Sequence, residues 1–299
     1  MQETAISLPR WKIWWLASRP KTLWAAVAPV LIGTAMAYHD GLAHWPSALL
    51  AAVCAVLIQV GTNFANDFFD FQHGADHSER LGPMRVTQAG LVPPEHTRAA
   101  FILAFSLAFF IGIYLIYRGG WPLLAIGLLS ILFGITYTGG PFPLGYYGLG
   151  DIFVLIFFGL IAVGGTYYVQ ALQFHWLVLL AGLAPGFFST AILTVNNLRD
   201  IYTDKGAGKR TLAVRFGITF SRLEYLFSIV AGSLIPLLLF LLTWRHPWVL
   251  AACAVLLLAW PSIKIVFSEK PGIIFNEVLA NTGKVLLIYS VLFSVGWIL

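Results

Sequence analysis

Charged residues are scarce in this chain. Only 10% of its 299 residues are Asp, Glu, Lys or Arg, whereas a typical soluble domain carries about 25%. Hydrophobic residues make up 59% of the sequence, and the mean hydropathy is +0.82. This composition excludes a soluble enzyme and a disordered chain, and it is typical of a protein embedded in a lipid bilayer.

Cysteine is rarer still. Cys54 and Cys253 are the only two, and each lies in a long apolar run with no partner at a motif spacing. They therefore exclude a disulfide framework and a cysteine zinc site. The seven histidines are scattered and show no metal-ligand spacing either.

Long apolar runs dominate the chain instead. A helix needs roughly 20 apolar residues to cross about 30 Å of hydrocarbon, and nine runs approach that length. The predicted spans are 20–39, 46–66, 97–117, 121–138, 149–171, 175–197, 222–243, 247–267 and 280–298. The sequence thus predicts an all-α, polytopic membrane protein with a single domain over 1–299. Its halves, about 1–145 and 146–299, each carry one Asp-rich motif.

Basic residues predict the orientation of the spans. We count sixteen Lys and Arg residues on the side of the N-terminus and the polar connections 67–96 and 198–221, and only Arg118 and Arg245 on the other. Cytoplasmic loops carry such an excess. We therefore expect the N-terminus and both polar loops on the cytoplasmic side of a bacterial inner membrane, and the C-terminus outside. Part of the basic excess then reflects topology. No nucleic acid is expected, and no obligate protein partner is evident in the sequence.

The 13 acidic residues are unevenly distributed. Two strings stand out, N-F-A-N-D-F-F-D-F-Q-H-G-A-D at 63–76 and N-N-L-R-D-I-Y-T-D at 196–204. In each string Asn and Asp recur three or four residues apart, which places them on one helix face. An Asp at bilayer depth costs about 2.5–3.5 kcal/mol on insertion scales. Two matched clusters therefore predict functional sites rather than solvated helix ends.

The acidic strings indicate a site for a hard cation. Mg²⁺ takes oxygen ligands, and one or two carboxylates plus substrate phosphates usually bind it. A diphosphate would be repelled by these carboxylates unless metal ions and basic side chains reversed the balance. Two such clusters in a membrane protein favour a diphosphate ester with a lipid-like organic part, such as an isoprenoid diphosphate.

Motifs in both halves resemble those of the UbiA superfamily of intramembrane prenyltransferases. N-D-F-F-D at 66–70, followed by Asp76, pairs with N-x-x-x-D-x-x-x-D at 196–204. Within that superfamily, R-L-G-P-M-R-V-T-Q-A-G at 80–90 and the Y-T-G-G-P that begins at Tyr137 are similar to 1,4-dihydroxy-2-naphthoate polyprenyltransferases of menaquinone synthesis. The third Asp departs from the common pattern, because it follows Asp70 by six residues rather than four.

The resemblance implies helices around a central cavity that two polar cytoplasmic loops cap. It also implies Mg²⁺-dependent transfer of a polyprenyl group from prenyl diphosphate to 1,4-dihydroxy-2-naphthoate, with loss of CO₂ and diphosphate. The implied metal ligands are Asp67, Asp70, Asp200 and Asp204, with Asp76 as a fifth candidate. The implied polar residues of the substrate site are Asn63, Asn66, Asn196 and Asn197, and Arg19 and Lys21 match the family's first-span motif. Arg85, Lys205, Lys209 and Arg210 lie beside the acidic motifs, so they are further candidates for substrate binding, although the charge bias of cytoplasmic loops also explains them. Tyr137 is a catalytic candidate, although Tyr residues at span ends are also common as interfacial anchors.

Three alternatives stay open at this point. A related prenyltransferase could use another aromatic acceptor, such as 4-hydroxybenzoate or homogentisate. A secondary transporter also carries intramembrane acids, although its sites usually lie near the bilayer midplane. An intramembrane phosphotransferase of the CDP-alcohol type would carry a D-G-x-x-A-R motif, which this sequence lacks.

Overall fold

Helices form almost the whole backbone of the computed structural model, which describes residues 8–74 and 81–299. No strand occurs within those two ranges, which confirms the predicted all-α class. The helices are α1 (Arg10–Ala17), α2 (Trp24–His39), α3 (Trp45–Gln72), α4 (Pro94–Gly119), α5 (Trp121–Thr136), α6 (Gly150–Leu155), α7 (Ala162–Ala171), α8 (Trp176–Arg199), α9 (Ile201–Gly206), α10 (Leu212–Thr243), α11 (Val255–Ser268) and α12 (Phe275–Ile298). A π turn, Ile156–Ile161, joins α6 to α7, and a 3₁₀ segment, Pro247–Ala254, leads into α11.

The number of membrane spans differs from the predicted nine. In the described residues, seven helical segments are long and apolar enough to cross a bilayer. An eighth span results if the bent pair Arg10–Thr22 and Trp24–His39 counts as one. The fourth predicted span, 121–138, is the 16-residue helix α5, which at 1.5 Å per residue is about 24 Å long. The prediction of nine full spans is therefore not confirmed, because apolar composition alone does not show where a helix ends.

Two helices extend beyond their predicted spans at the polar connections. α3 continues to Gln72 rather than ending at 66, because Phe64 and Phe68 on its last turns pack into a buried cluster with Phe101 and Phe105. Asp67 and Asp70 thus lie within a helix. α10 begins at Leu212, within the connection 198–221 that was expected to be a loop.

The largest buried core surrounds α8. This helix packs against α10, α12, α2 and the π turn, and two thirds of its most apolar window are buried. Small residues allow the close approach of neighbouring backbones, as is usual between membrane helices. A Cβ added at Gly159 on the π turn would lie 2.6 Å from the carbonyl oxygen of Gly182 on α8.

The two ends of the bundle differ in chemistry. At one end Arg199, at the end of α8, donates a hydrogen bond to Asn276 at the start of α12. At the other end, where α12 finishes, the Trp297 ring stacks on His246 with centroids 4.2 Å apart, and His39 at the end of α2 contacts the same two rings. The acidic strings of both halves lie at the Arg199 end.

We expect Gly159→Ala to destabilise the bundle by about 1–3 kcal/mol, because the new methyl group forces the π turn away from α8. Gly112→Ala is the matched control, since a Cβ at Gly112 on α4 meets nothing within 4 Å. Thermal unfolding in detergent should show a lower Tm for the first variant and an unchanged or higher Tm for the second. Equal Tm values would contradict the close packing of these helices.

Candidate active site

The first acidic motif occupies the last two turns of α3. Asn63, Asp67 and Asp70 are all less than 5% exposed. Asn63 donates hydrogen bonds to the Ser18 carbonyl at 2.9 Å and the Thr22 hydroxyl at 3.3 Å. It therefore ties α3 to the bend that precedes α2, as well as lining a cavity described below.

Side chains from three different segments contact Asp70, and the third of them, Lys209, is described below. Arg85, in the connection before α4, forms a buried ion pair with Asp70 Oδ2. The Tyr146 hydroxyl, in the connection after α5, donates to Asp70 Oδ1 at 2.7 Å. One turn earlier, Asp67 Oδ2 accepts a hydrogen bond from the backbone nitrogen of Val86 at 3.1 Å. The α3 carboxylates thus hold the segment around Arg85 against the bundle.

The second acidic motif is organised by Arg199, the last residue of α8. Its guanidinium binds the neighbouring Asp200 carboxylate with two nitrogens, at 2.8 and 2.5 Å. It also donates to the side-chain oxygens of Asn276 and Asn196, each at 2.8 Å. Arg199 is 1% exposed. A planar five-donor group suits these simultaneous contacts.

Lys209 brings the two motifs together. Its ammonium lies 3.5 Å from Asp70 Oδ1 and 3.6 Å from Asp204 Oδ1. It also stands over the Tyr146 ring, 4.8 Å from the centroid. Residues that are more than 130 positions apart in the chain therefore converge on one ammonium group.

A polar cavity of about 200 Å³ lies between the motifs. Most of the predicted site residues line it. They are Arg19, Asn66, Asp70, Arg85, Tyr137, Asn196, Asn197, Asp200, Asp204 and Lys209. The structure thus joins both halves of the chain in one site, as the two matched strings had suggested.

Other predicted site residues lie elsewhere. Asp67 is buried beside the cavity, where it holds the Val86 nitrogen. The side chains of Lys21, Lys205 and Arg210 are exposed and do not line the polar cavity, so the structure does not place them in the site. Arg210 instead contributes its backbone nitrogen, which donates to the Tyr146 carbonyl at 2.7 Å. Asp76 lies outside the described residues.

An apolar cavity of about 330 Å³ adjoins the polar one. Both cavities share wall residues, including Gln59, Asn66 and Tyr137. Burial, followed by the negative charge of Asp151, raises the pKa of the Tyr137 hydroxyl above its ordinary value. Tyr137 therefore keeps its proton at neutral pH at the junction of the two cavities.

Phenylalanine rings form part of the apolar cavity wall. Phe133 packs edge-on against Phe153 and Phe157, with ring centroids 4.7 and 5.2 Å apart. Sequence reasoning did not single out these rings, nor Arg199 or Asn276, whereas Tyr146 was a candidate cavity residue and does line the polar cavity. A signal existed for Arg199, because an Arg directly before an Asp at the end of an apolar helix needs a partner.

The carboxylates do not form a ready-made metal centre. Among the residues that the structure describes, no three His, Cys, Asp or Glu side chains stand in a metal-binding arrangement. Asp70, Asp200 and Asp204 instead contact basic side chains. The site is a network of ion pairs between acidic and basic side chains around the polar cavity.

Residues 26–273 match the sequence model of the UbiA prenyltransferase family. The chain belongs to this family. The match covers both acidic motifs, all but the first two residues of α2, and every helix from α3 to α11. The predicted resemblance is thereby confirmed.

Curated relatives are similar over nearly the whole chain. The 1,4-dihydroxy-2-naphthoate octaprenyltransferases of Haemophilus influenzae and Escherichia coli are both 38% identical to it. The alignments cover 95% of each chain in the first case, and 99% of this chain and 97% of the relative in the second. The enzyme of the same name from Mycobacterium tuberculosis is 37% identical, over 93% of this chain and 94% of the relative.

Solved structures share the fold. A UbiA homologue from Archaeoglobus fulgidus, bound to GPP and Mg²⁺, superimposes with a TM-score of 0.68 over 96% of this chain and 99% of its own. A digeranylgeranylglyceryl phosphate synthase superimposes with a TM-score of 0.61 over 96% and 98% of the two chains. Sequence identities of 15% and 18% limit this likeness to the fold itself.

We expect Arg199→Lys to impair the site although it retains the charge. An ammonium cannot reproduce the two-nitrogen contact with Asp200 together with the contacts to Asn196 and Asn276. Thermal unfolding should show a loss of about 1–3 kcal/mol, because buried acceptor oxygens lose their hydrogen-bond donor. Arg245→Lys, at an exposed position at the other end of the bundle, is the control and should leave stability unchanged. Identical stabilities of the two variants would contradict the structural role of Arg199.

Proposed function

We propose that this protein transfers a polyprenyl group from prenyl diphosphate to 1,4-dihydroxy-2-naphthoate. The reaction releases diphosphate and CO₂ and gives the prenylated hydroquinone, which a separate two-electron oxidation outside this site converts to demethylmenaquinone. The observation that carries the proposal is the polar cavity between the two Asp motifs, which shares a wall with an apolar cavity. Such a pair of cavities suits a substrate with a diphosphate head and an isoprenoid tail. The three relatives at 37–38% identity favour dihydroxynaphthoate as the acceptor.

The donor atoms of the polar cavity fit Mg²⁺. Carboxylate and amide oxygens are the ligands that this ion takes together with substrate phosphates. Asp70 and Asp204 already converge on one cationic group, the Lys209 ammonium. We assign Mg²⁺ binding to Asp67, Asp70, Asp200 and Asp204, with Asp76 as a further candidate. Bound there, the ion would supply positive charge to the diphosphate as it leaves.

The basic and hydroxyl groups of the cavity bind and orient the diphosphate in this proposal. Arg19, Arg85 and Lys209 line the cavity and can donate hydrogen bonds to phosphate oxygens. Tyr137 stands at the junction with the apolar cavity, next to the place where the C–O bond must break. Its protonated hydroxyl donates a hydrogen bond to the leaving oxygen and so helps to fix the reacting carbon at the junction.

The apolar cavity protects the reaction from water. An allylic cation forms as the diphosphate leaves, and water would capture it in an open site. The rings of Phe133, Phe153 and Phe157 line the cavity, and aromatic faces attract a cation. The carboxyl-bearing carbon of the naphthoate ring attacks the cation, and CO₂ is then lost from that carbon.

The enzyme works from the cytoplasmic face in this proposal. By sequence position, sixteen of the 18 Lys and Arg residues fall in or beside the N-terminal segment and the connections assigned to the side of the Asp motifs, and such an excess favours a cytoplasmic location. A reporter fused after Leu299 tests this orientation. We expect a C-terminal alkaline phosphatase to be active in the periplasm and a C-terminal green fluorescent protein to stay dark. The opposite pattern would place the C-terminus in the cytoplasm and the site on the periplasmic side, and so would contradict the proposed orientation.

The proposed reaction is tested with the purified protein in liposomes. We expect geranylgeranyl diphosphate and 1,4-dihydroxy-2-naphthoate to give the prenylated, decarboxylated product by mass spectrometry with Mg²⁺, and no product with EDTA. Product with 4-hydroxybenzoate or homogentisate alone would retain the reaction and change the acceptor. Cation-coupled solute transport without any prenyl transfer would contradict the proposal.

Acid-to-amide variants connect the activity to the site. Asp70→Asn and Asp200→Asn should each lower the rate by at least about 100-fold, because metal-site partners commonly have effects of 10- to 100-fold and direct ligands exceed them. Glu269→Gln removes an exposed carboxylate near the same end of the bundle and should retain the full rate. Full activity in both Asp variants would contradict the metal assignment.

A further inference from the structure

One basic side chain occupies the point on which the two acidic motifs converge. The Lys209 ammonium contacts Asp70 Oδ1 of the first motif and Asp204 Oδ1 of the second, at nearly equal distances of 3.5 and 3.6 Å. The side chains of Lys209 and Asp204 are each only 13% exposed, and that of Asp70 is 1% exposed. These ion pairs are therefore largely shielded from solvent.

The backbone around Lys209 directs its side chain toward this point. Its nitrogen donates to the Asp204 carbonyl at 2.9 Å, which closes the turn after α9. Gly208 precedes it with a φ of +74°, a conformation that suits glycine and reverses the chain. The Tyr146 ring lies under the ammonium, and the Tyr146 hydroxyl holds the same carboxylate oxygen of Asp70. The lysine is thus positioned by its own turn and by the facing loop.

Charge explains why a cation is needed there before substrate arrives. Two carboxylates that approach one another at a site of low solvent exposure repel, and an interposed cation removes that repulsion. A divalent metal ion that binds with the diphosphate brings its own positive charge to the same carboxylates. The ammonium and the metal ion therefore compete for the same oxygens.

We propose that Lys209 acts as an internal stand-in for the metal: it bridges the two motifs in the metal-free protein, and metal binding releases it to bind the diphosphate. The proposal deepens the proposed function and rests on the metal assignment made there. Lys209 is accordingly a positioning residue before substrate binding and a substrate-binding residue afterwards. Its flexible four-carbon stem and rotatable ammonium suit a group that changes partners.

The release is measured directly by acetylation of lysines in the purified full chain, followed by mass spectrometry. We expect Lys209 to react slowly in EDTA, several-fold faster with Mn²⁺, and slowly again with Mn²⁺ plus inorganic diphosphate. Lys270 is exposed near the same end of the bundle and serves as the internal reference, with an equal rate in all three conditions. A Lys209 rate that stays the same or falls when Mn²⁺ binds would overturn the proposal.

Variants test the competition independently of catalysis. In Lys209→Met, Mn²⁺ measured by electron paramagnetic resonance should bind about three- to tenfold more tightly than in the native chain, because the competing ion pairs are gone. The KM for prenyl diphosphate should rise at the same time. Lys270→Met removes the same charge at a distance and should change neither quantity. Unchanged or weaker Mn²⁺ binding in Lys209→Met would count against the stand-in role.

The outcomes separate this proposal from the function on which it rests. A chain that binds Mn²⁺ and transfers prenyl groups, but keeps Lys209 protected throughout, contradicts the release of Lys209 alone. A chain that shows no Mn²⁺ binding at all contradicts both the metal assignment and the role of Lys209. If Lys209→Met fails to fold, the acetylation measurement on the native chain still decides the question.

Discussion

The neutralisation of carboxylates buried at one end of an apolar bundle is the constraint on which the structure depends. A buried charge is tolerated only when it is paired and hydrogen-bonded. Asp70 and Asp200 each pair with an arginine that is almost fully buried. The connection that carries Arg85 is consequently fixed against the bundle by the acid that Arg85 neutralises.

The same constraint shapes the boundary between the two cavities. Charged and amide side chains are confined to the end where α3 and α8 finish, while small and aromatic residues line the space deeper in the bundle. Tyr137, Asn66 and Gln59 lie at the boundary and belong to both walls. A substrate with a charged head and an apolar tail therefore has one orientation in which neither part is poorly solvated. The position of the reactive bond between head and tail then follows from the position of the boundary.

Sequence reasoning predicted the part of the site that repeats with helical period. Asn66 and Asp70, and Asn196 and Asp200, are four residues apart, and the structure places all four around one cavity. Sequence reasoning could not distinguish the basic residues that enter the site from those that are exposed at the same end of the bundle. Lys205 and Lys209 lie in the same short segment, yet Lys205 is exposed and Lys209 contacts both motifs. The difference depends on the turn at Gly208, which a count of charges does not reveal.

Neither the number of spans nor the aromatic wall of the apolar cavity could be predicted from the sequence, and the two reasons are related. α5 is as apolar as its neighbours but has only 16 residues. The chain turns after Thr136, which places Tyr137 and Thr138 in the wall of the polar cavity. The packing of Phe133 on Phe153 joins helices that the sequence separates by a long connection. Such contacts arise from tertiary packing, whereas hydropathy reports only that each ring avoids water.

The two motifs differ in how they are held, and the difference follows from their partners. The second motif is largely self-contained, since Asp200 is neutralised by the adjacent Arg199, and Asn276 at the start of α12 accepts a hydrogen bond from Arg199. The first motif has no basic neighbour on α3, so Asp70 draws on Arg85, Tyr146 and Lys209 from three separate connections. Changes in the connections that carry Arg85 and Tyr146 therefore alter the electrostatics of the first motif, whereas a change at Lys209 acts on both motifs. Substitutions in the connections that carry Arg85 and Tyr146 thus act on the half of the site that α3 carries.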